Sequence, residues 1–199
     1  MNIVIIKYNA GNVQSVLFAL ERIGVSAIVT DDPELIQRAD KVILPGVGEA
    51  ESAMKYLTEN GLDKTIRSLR QPVLGICLGL QLLCRHSEEG DVNCIGIFDN
   101  NVRKFESYAD GINKYKVPHM GWNTIADLKS DLLKGIPESS YMYFVHSYYA
   151  ETGINNISTT DYTLKFCSAL HKDNFYGVQF HPEKSGVDGQ KLLENFIKL

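Results

Sequence analysis

Hydrophobic positions in the first 80 residues recur with two alternating periods. Ile3 to Ile6 is a short continuous apolar run, the pattern of a strand buried on both faces. After Gly11-Asn12, Val13, Val16, Leu17 and Leu20 follow at i, i+3, i+4 and i+7, which predicts an amphipathic helix. Gly24 is placed to end that helix, and Val25 to Thr30 predicts the next strand. Asp32 offers an N-cap and Pro33 a first helical position, ahead of a short helix over Glu34 to Ala39. Lys41 to Leu44 predicts a third strand, stopped by Pro45-Gly46. Ala50, Ala53, Met54 and Leu57 form another helical stripe, closed by Asn60-Gly61. A further helix over Leu62 to Arg70 leads into a strand at Val73 to Ile76. This alternation implies right-handed crossovers and a mostly parallel sheet with helices on both sides.

The pattern changes in the second half. From about Ile95 to Phe180 the chain is richer in Tyr, Phe, Val and Thr, with polar turns between short runs. Tyr141 to Tyr149 and Phe175 to Phe180 are examples, the latter preceded by the turn residues Lys172-Asp173-Asn174. We expect antiparallel strands that extend the sheet or form a subsidiary one. A last helix over Gly189 to Leu199 carries Leu192, Leu193, Phe196 and Ile197 on its buried side. With no low-complexity linker and no internal repeat, residues 1–199 are expected to form a single α/β domain.

Composition narrows the function classes. The 199 residues are 44% hydrophobic and 22% charged, enough to bury a core without disulfides or metals. Twenty Lys and Arg against 24 Asp and Glu give a net charge of −4, which argues against a nucleic-acid binder. No apolar run approaches the roughly 20 residues that span a bilayer, and the N-terminus does not read as a secretory signal. The four cysteines, Cys77, Cys84, Cys94 and Cys167, include no C-x-x-C pair and no zinc-site spacing. A reduced, cytoplasmic setting without metal or cofactor is the expectation.

The segment Gly75-Ile76-Cys77-Leu78-Gly79 carries the most chemistry. A buried strand runs into a helix with Cys77 at the junction between two glycines, as G-x-C-x-G. This is the nucleophile-elbow pattern of G-x-S-x-G hydrolases with sulfur in place of oxygen. A nucleophile there must stand on a sharp turn to clear the sheet, and flanking Cβ atoms would collide. The helix start favours thiolate and offers free N–H groups to an oxyanion. The competing reading is a small core residue with glycines that serve packing. Cys84, seven residues on along the same predicted helix, is read as core, as are Cys94 and Cys167.

A nucleophilic thiol needs a base and a group that orients the base. His181 ends a predicted strand in Phe180-His181-Pro182-Glu183, and Glu183 can fold back onto one imidazole nitrogen. His86, in a polar helix end, and His171, in a hairpin, read as surface residues. His119 and His146, in turn and aromatic contexts, remain alternatives for the base.

G-I-C-L-G-L-Q at 75–81 together with F-H-P-E at 180–183 resembles the class I (triad) glutamine amidotransferases. Leu44-Pro45-Gly46-Val47-Gly48, Pro118-His119-Met120-Gly121-Trp122-Asn123 and Tyr143-Phe144-Val145-His146-Ser147-Tyr148 resemble, within that family, glutaminase subunits that serve a cyclase in histidine biosynthesis. The resemblance implies a three-layer fold and hydrolysis of glutamine to glutamate and ammonia. Cys77 would attack the side-chain amide, and His181, oriented by Glu183, would move the protons. Backbone N–H groups of Leu78 and of the Gly46-Val47-Gly48 strand would hold the oxyanion, worth a factor of roughly 10²–10³ in rate. An ordinary strand-to-helix loop is the other reading of that strand. Gln81, Glu89 and the backbone at Ser147-Tyr148 would bind the amino-acid end of glutamine; Glu89 would otherwise belong to a solvated acidic turn.

The resemblance further implies a heterodimer with a (β/α)₈ cyclase subunit that takes the ammonia. His119, Trp122, Tyr143 and Lys184 match positions facing that partner or the ammonia passage, with core packing as the alternative for Trp122 and Tyr143. At this length one domain and no second catalytic module is expected, which places the ammonia acceptor on another chain. One departure stands out: Lys7-Tyr8-Asn9-Ala10-Gly11-Asn12 carries Lys7 where the family commonly has an acidic residue, which puts detailed partner contacts in doubt. Rivals are glutaminase subunits of sugar-modifying, anthranilate, aminodeoxychorismate or pyridoxal phosphate synthases, a thiol hydrolase, or a non-catalytic binding subunit.

Overall fold

The computed structural model describes residues 1–9, 12–109 and 114–199. Gly11, read above as part of the first chain break, lies outside the described residues, as does Ala10. The first half alternates as its periodicity predicts: β1 (Ile3–Ile6), α1 (Val13–Arg22), β2 (Ala27–Thr30), α2 (Pro33–Arg38) and β3 (Lys41–Leu44), then α3 (Ala50–Glu59), α4 (Leu62–Ser68), β4 (Val73–Ile76) and α5 (Leu78–Leu83). The short strands β5 (His86–Ser87), β6 (Val92–Asn93), β7 (Asn101–Lys104), β8 (Tyr108–Ala109) and β9 (Lys114–Tyr115) follow. The chain then forms β10 (His119–Thr124), β11 (Tyr141–His146), β12 (Tyr148–Ala150), β13 (Asn156–Asp161), β14 (Lys165–Lys172), β15 (Phe175–Val178) and α6 (Gly186–Lys198).

The main sheet runs in the order β2-β1-β3-β4-β15-β14-β12-β7-β5-β6, with β13 on β14. Strands β2, β1, β3, β4 and β15 are parallel neighbours, whereas β14 and β12 pair antiparallel. β10 and β11 form a separate antiparallel ribbon in which Trp122 faces Tyr143 and His119 faces His146. The alternating side chains of β1 separate two cores. Val4 and Ile6 pack with residues of α2, α3, α4 and α5; Ile3 and Ile5 pack with α1, α6 and the ribbon residues Met142 and Phe144. Helix layers therefore cover both faces of the parallel region, and each buried strand needs apolar residues at every position.

Where boundaries differ from expectation, hydrogen bonds account for it. β2 begins at Ala27 rather than Val25, because Gly24 N donates to Glu21 O (2.9 Å) and Val25 N to Leu20 O (3.0 Å), so both residues close α1. Asp32 caps α2 as expected, its Oδ1 accepting from Glu34 N at 2.8 Å. α5 stops at Leu83, short of the predicted helix. Cys84 is extended, and Arg85 N turns to Asn100 O (3.0 Å), placing His86 in a strand instead of a helix end. The run from Tyr141 to Tyr149 is two strands in different sheets, broken at Ser147. α6 starts three residues early, at Gly186, since the 3₁₀ turn Pro182–Lys184 already winds the chain.

The closest backbone approach fixes α5 against the sheet. A Cβ on Gly79 would stand 1.8 Å from Leu44 O, and one on Gly75 would stand 2.7 Å from the Gly79 carbonyl. Neither obstacle is a flexible side chain. Gly79→Ala should therefore destabilise the fold by about 1–3 kcal/mol or more through overpacking, read as a lower urea midpoint; an unchanged midpoint would contradict this packing.

Candidate active site

Cys77 sits between β4 and α5 with φ 54° and ψ −108°, a conformation that costs a non-glycine residue about 1–3 kcal/mol. Its N–H donates to Val178 O (2.7 Å), which ties the turn to β15. The side chain is nearly buried. Gln179 Nε2 donates to Sγ at 3.7 Å, and the thiol reaches Val145 O at 3.9 Å. The helix that begins here is six residues long, so local N–H groups rather than a long macrodipole act on the sulfur.

His181 is fully buried just after β15. Its Nδ1 donates to Glu183 Oε1 at 2.8 Å, while Nε2 has no hydrogen-bond partner among the described residues. Burial lowers the His181 pKa, but the Cys77 sulfur and then Glu183 outweigh it and raise it to about 10. The backbone is clamped to the ribbon: His181 N donates to Tyr143 O (2.9 Å), Ser185 Oγ donates to His181 O (2.6 Å) and accepts from Tyr143 N (3.0 Å).

Two supporting residues escaped the sequence reading. Asn12, in a left-handed turn at φ 75°, donates through Nδ2 to Glu183 Oε1 at 2.5 Å. Gln179 bridges the sulfur to Gln81, whose Nε2 donates to Gln179 Oε1 (3.0 Å) and to Tyr148 O (2.9 Å). The Gly-Asn break after β1 and the Gln two residues before His181 were the available signals. Tyr8, also unassigned, donates to Pro45 O at 2.5 Å; burial and the nearby Cys77 sulfur push its pKa up.

A cavity of about 320 Å³ collects most of the expected site residues: Cys77, Leu78, Gln81, Glu89, Ser147 and Tyr148, with Val47 and Gly48 on its wall. That volume falls within the range of small-molecule pockets, ~300–1,000 Å³. Gly46 lies behind the wall, and its carbonyl accepts from Leu78 N at 3.4 Å, so this N–H is occupied. Gly48 holds φ 121°, which a residue with a side chain rarely adopts. Glu89 is half-buried and caps α3, its Oε2 accepting from Ala50 N at 2.9 Å. Burial raises its pKa, the Ala50 bond opposes that, and Glu49 adds to the rise.

The four residues expected to face a partner divide. Trp122 is 55% exposed and Lys184 is exposed, with its Nζ 5.7 Å from the Tyr143 ring; Trp122 and Tyr143 rings meet at 6.0 Å. Core packing therefore does not describe Trp122. His119 is instead buried, stacked between Tyr162 (4.0 Å) and Phe144 (4.9 Å), and it bonds inward to His146. Lys7, the departure noted above, is exposed. Among the described residues, no group of three His, Cys, Asp or Glu is arranged to hold a metal, and no helix is long and apolar enough to cross a membrane.

The family model for class-I glutamine amidotransferases matches residues 4–199. The chain belongs to that family. It is 57% identical over 199 residues, the full length of both chains, to the imidazole glycerol phosphate synthase subunit HisH of Bacteroides fragilis strain YCH46. The HisH subunit 2 of Methanococcus maripaludis is 48% identical over 98% of each chain. Among solved structures, a GMP synthase subunit from Thermoplasma acidophilum superposes with a TM-score of 0.75 at 19% identity, covering 100% of this chain and 93% of that one. At that identity the likeness shows the fold alone, and it is the expected one: an α/β sheet, mostly parallel at its centre, with antiparallel strands added by the second half.

The buried histidines titrate in opposite directions. Burial lowers His119 to about 4; burial, then His119, lowers His146 to about 3 against the opposing Tyr148 carbonyl bond. Because these folded-state values lie below the unfolded value of about 6.5, the unfolded chain takes up protons first, and stability falls as pH drops from about 6.5 towards 4. An NMR titration should find both rings neutral at pH 5.5; midpoints near 6.5 would refute this.

Proposed function

We propose that the chain is the glutaminase subunit of imidazole glycerol phosphate synthase. It hydrolyses glutamine to glutamate and ammonia and passes the ammonia to a (β/α)₈ cyclase subunit in histidine biosynthesis. The observation that carries this reading is the placement of Cys77, on its strained turn, in one cavity with Gln81 and Glu89. Full-length identity of 57% to a HisH subunit supports the particular reaction.

In this reading the Cys77 sulfur attacks the glutamine amide carbon. His181, held by Glu183 through Nδ1, takes the thiol proton on Nε2 as the sulfur attacks and gives it to the departing ammonia. Water then attacks the γ-glutamyl thioester with neutral His181 as base, which releases glutamate and restores the thiol. Glu89 has its Oε2 on the α3 N-terminus, which leaves Oε1 for the substrate ammonium. Gln81 has its amide N–H groups committed to Tyr148 O and Gln179, so its oxygen is the end free to accept from that ammonium. The Leu78 N–H must leave Gly46 O before it can hold an oxyanion; a turn of the Gly46-Val47 peptide, next to Gly48, would release it. This occupied donor predicts weak activity of the chain alone.

The partner would dock where Trp122, Tyr143 and Lys184 meet beside the His181 backbone. A cytoplasmic location fits four free cysteines, one of which must stay reduced to act.

Purified chain should show weak glutaminase activity that rises with the cyclase partner and its nucleotide ligand. Cys77→Ala should abolish glutamine turnover while the complex still uses free ammonium. Wild-type turnover in Cys77→Ala would eliminate the thioester mechanism. No response to any cyclase partner would eliminate the assignment to this synthase.

A further inference from the structure

Besides His181, the interior holds a second histidine cluster that the thioester chemistry does not use. His119, on β10, and His146, at the end of β11, are both buried and face each other across the ribbon. Their ring nitrogens lie 3.1 Å apart, His119 Nδ1 to His146 Nε2. The outer partners fix every proton in the pair. His146 Nδ1 is 2.7 Å from Tyr148 O, and a carbonyl can only accept, so the proton is on Nδ1 and His146 Nε2 is the acceptor. His119 must then donate through Nδ1, which leaves its Nε2 to accept from Asn123 Nδ2 at 3.3 Å. The Asn123 amide is oriented independently. Its oxygen accepts from Thr124 N (2.8 Å), and its nitrogen also donates to Asp161 O (2.9 Å).

The donors therefore run one way: Asn123 to His119 to His146 to the Tyr148 carbonyl. That oxygen also accepts from Gln81 Nε2, at 2.9 Å, and borders the cavity that contains Cys77. Two rigid imidazoles and one side-chain amide thus converge on the peptide just after the break between β11 and β12.

We propose that His119 and His146 are positioning residues for the glutamine pocket, a fixed-direction pair of neutral imidazoles that orients the Tyr148 carbonyl and, through it, the Gln81 amide. The inference rests on the glutaminase reading and goes beyond it by giving these two rings a role in substrate affinity. Phe105 and Phe166 close around both rings, while Phe144 and Tyr162 stack on His119. The titratable groups facing the pair are each other, Tyr162, and His181 across the pocket wall; no carboxylate lies within ion-pair distance among the described residues. Either ring, once protonated, would lose its acceptor nitrogen and break the chain. Affinity for glutamine should accordingly survive mild acid down to about pH 5, where both rings remain neutral.

Substitution at His146 separates positioning from packing. His146→Phe keeps an aromatic ring but removes the donor to Tyr148 O; His146→Asn loses the ring but places an amide N–H near the Nδ1 position. With the full chain and its cyclase partner, His146→Phe should raise KM for glutamine by about tenfold, the effect of one lost buried hydrogen bond, with a smaller change in kcat. His146→Asn should recover most of that loss. Iodoacetamide labelling of Cys77 should change by less than KM does in both, since the sulfur's donor, Gln179, is linked to His146 only through Gln81 and the Tyr148 carbonyl. Should His146→Phe not fold, His119→Phe against His119→Asn makes the same comparison one bond further back, with a smaller KM change. A Phe variant equal to wild type, or better than its Asn counterpart, would show that the rings only pack and would overturn the inference alone. A wild-type complex without glutamine turnover would overturn the glutaminase reading, and this inference with it.

Discussion

The contact between α5 and β3 at Gly79 sets the geometry on which the rest of the site depends. The helix backbone lies against Leu44 O so closely that a single Cβ would strike it at 1.8 Å. That approach brings the first turn of α5 down onto the end of β3, and the chain turns into it through the positive φ of Cys77. Three consequences follow from one helix position. Cys77 N reaches Val178 O, Leu78 N faces the Gly46 carbonyl, and Gln81 reaches both Gln179 and Tyr148 O. A helix standing off by the width of a methyl group would lose all three together.

The first half of this arrangement was legible because its physics is local. Parallel strands buried on both faces need largely apolar runs, and α1 and α3 carried both a stripe and a stop signal, so β1, β3, β4 and α3 lie where the pattern put them. The second half was legible only as a tendency towards β structure. Strands of two residues, such as β5 and β6, have no period to detect, and their pairing is set by hydrogen bonds from Arg85 and Cys94 to distant carbonyls. The break at Ser147 splits one aromatic run between two sheets, which neither propensity nor alternation records.

Site residues divide along the same line. Cys77, His181 and Glu183 stood out because a strained turn and a Pro-stiffened link leave marks in adjacent residues. Asn12 left only the mark of a turn, since its bond to Glu183 spans 171 positions of sequence. His119 parts from Trp122 for a different reason. Its neighbours in sequence, Met120 and Trp122, are 67% and 55% exposed, while His119 itself is 4% exposed. On one strand of a ribbon, alternate residues face opposite ways, and the facing that matters depends on a partner strand more than 20 residues on.

Three histidines in one interior then differ by their partners rather than by their burial. His181 has Glu183 at 2.8 Å and the Cys77 sulfur nearby, and these outweigh desolvation. His119 and His146 have only carbonyl, amide and imidazole partners, so desolvation prevails and both stay neutral. The difference matters to a pocket proposed to receive an ammonium group. Two unit charges 4 Å apart interact by about 4 kcal/mol at an effective dielectric constant of 20. An imidazolium at His146, which lines the cavity, would repel both that ammonium and the proton on His181. Neutral rings supply a directed hydrogen bond without that charge. The aromatic cage of Phe105, Phe144, Tyr162 and Phe166 thereby governs the electrostatics of the pocket by surrounding His146 in its wall and His119 behind it with rings in place of carboxylates.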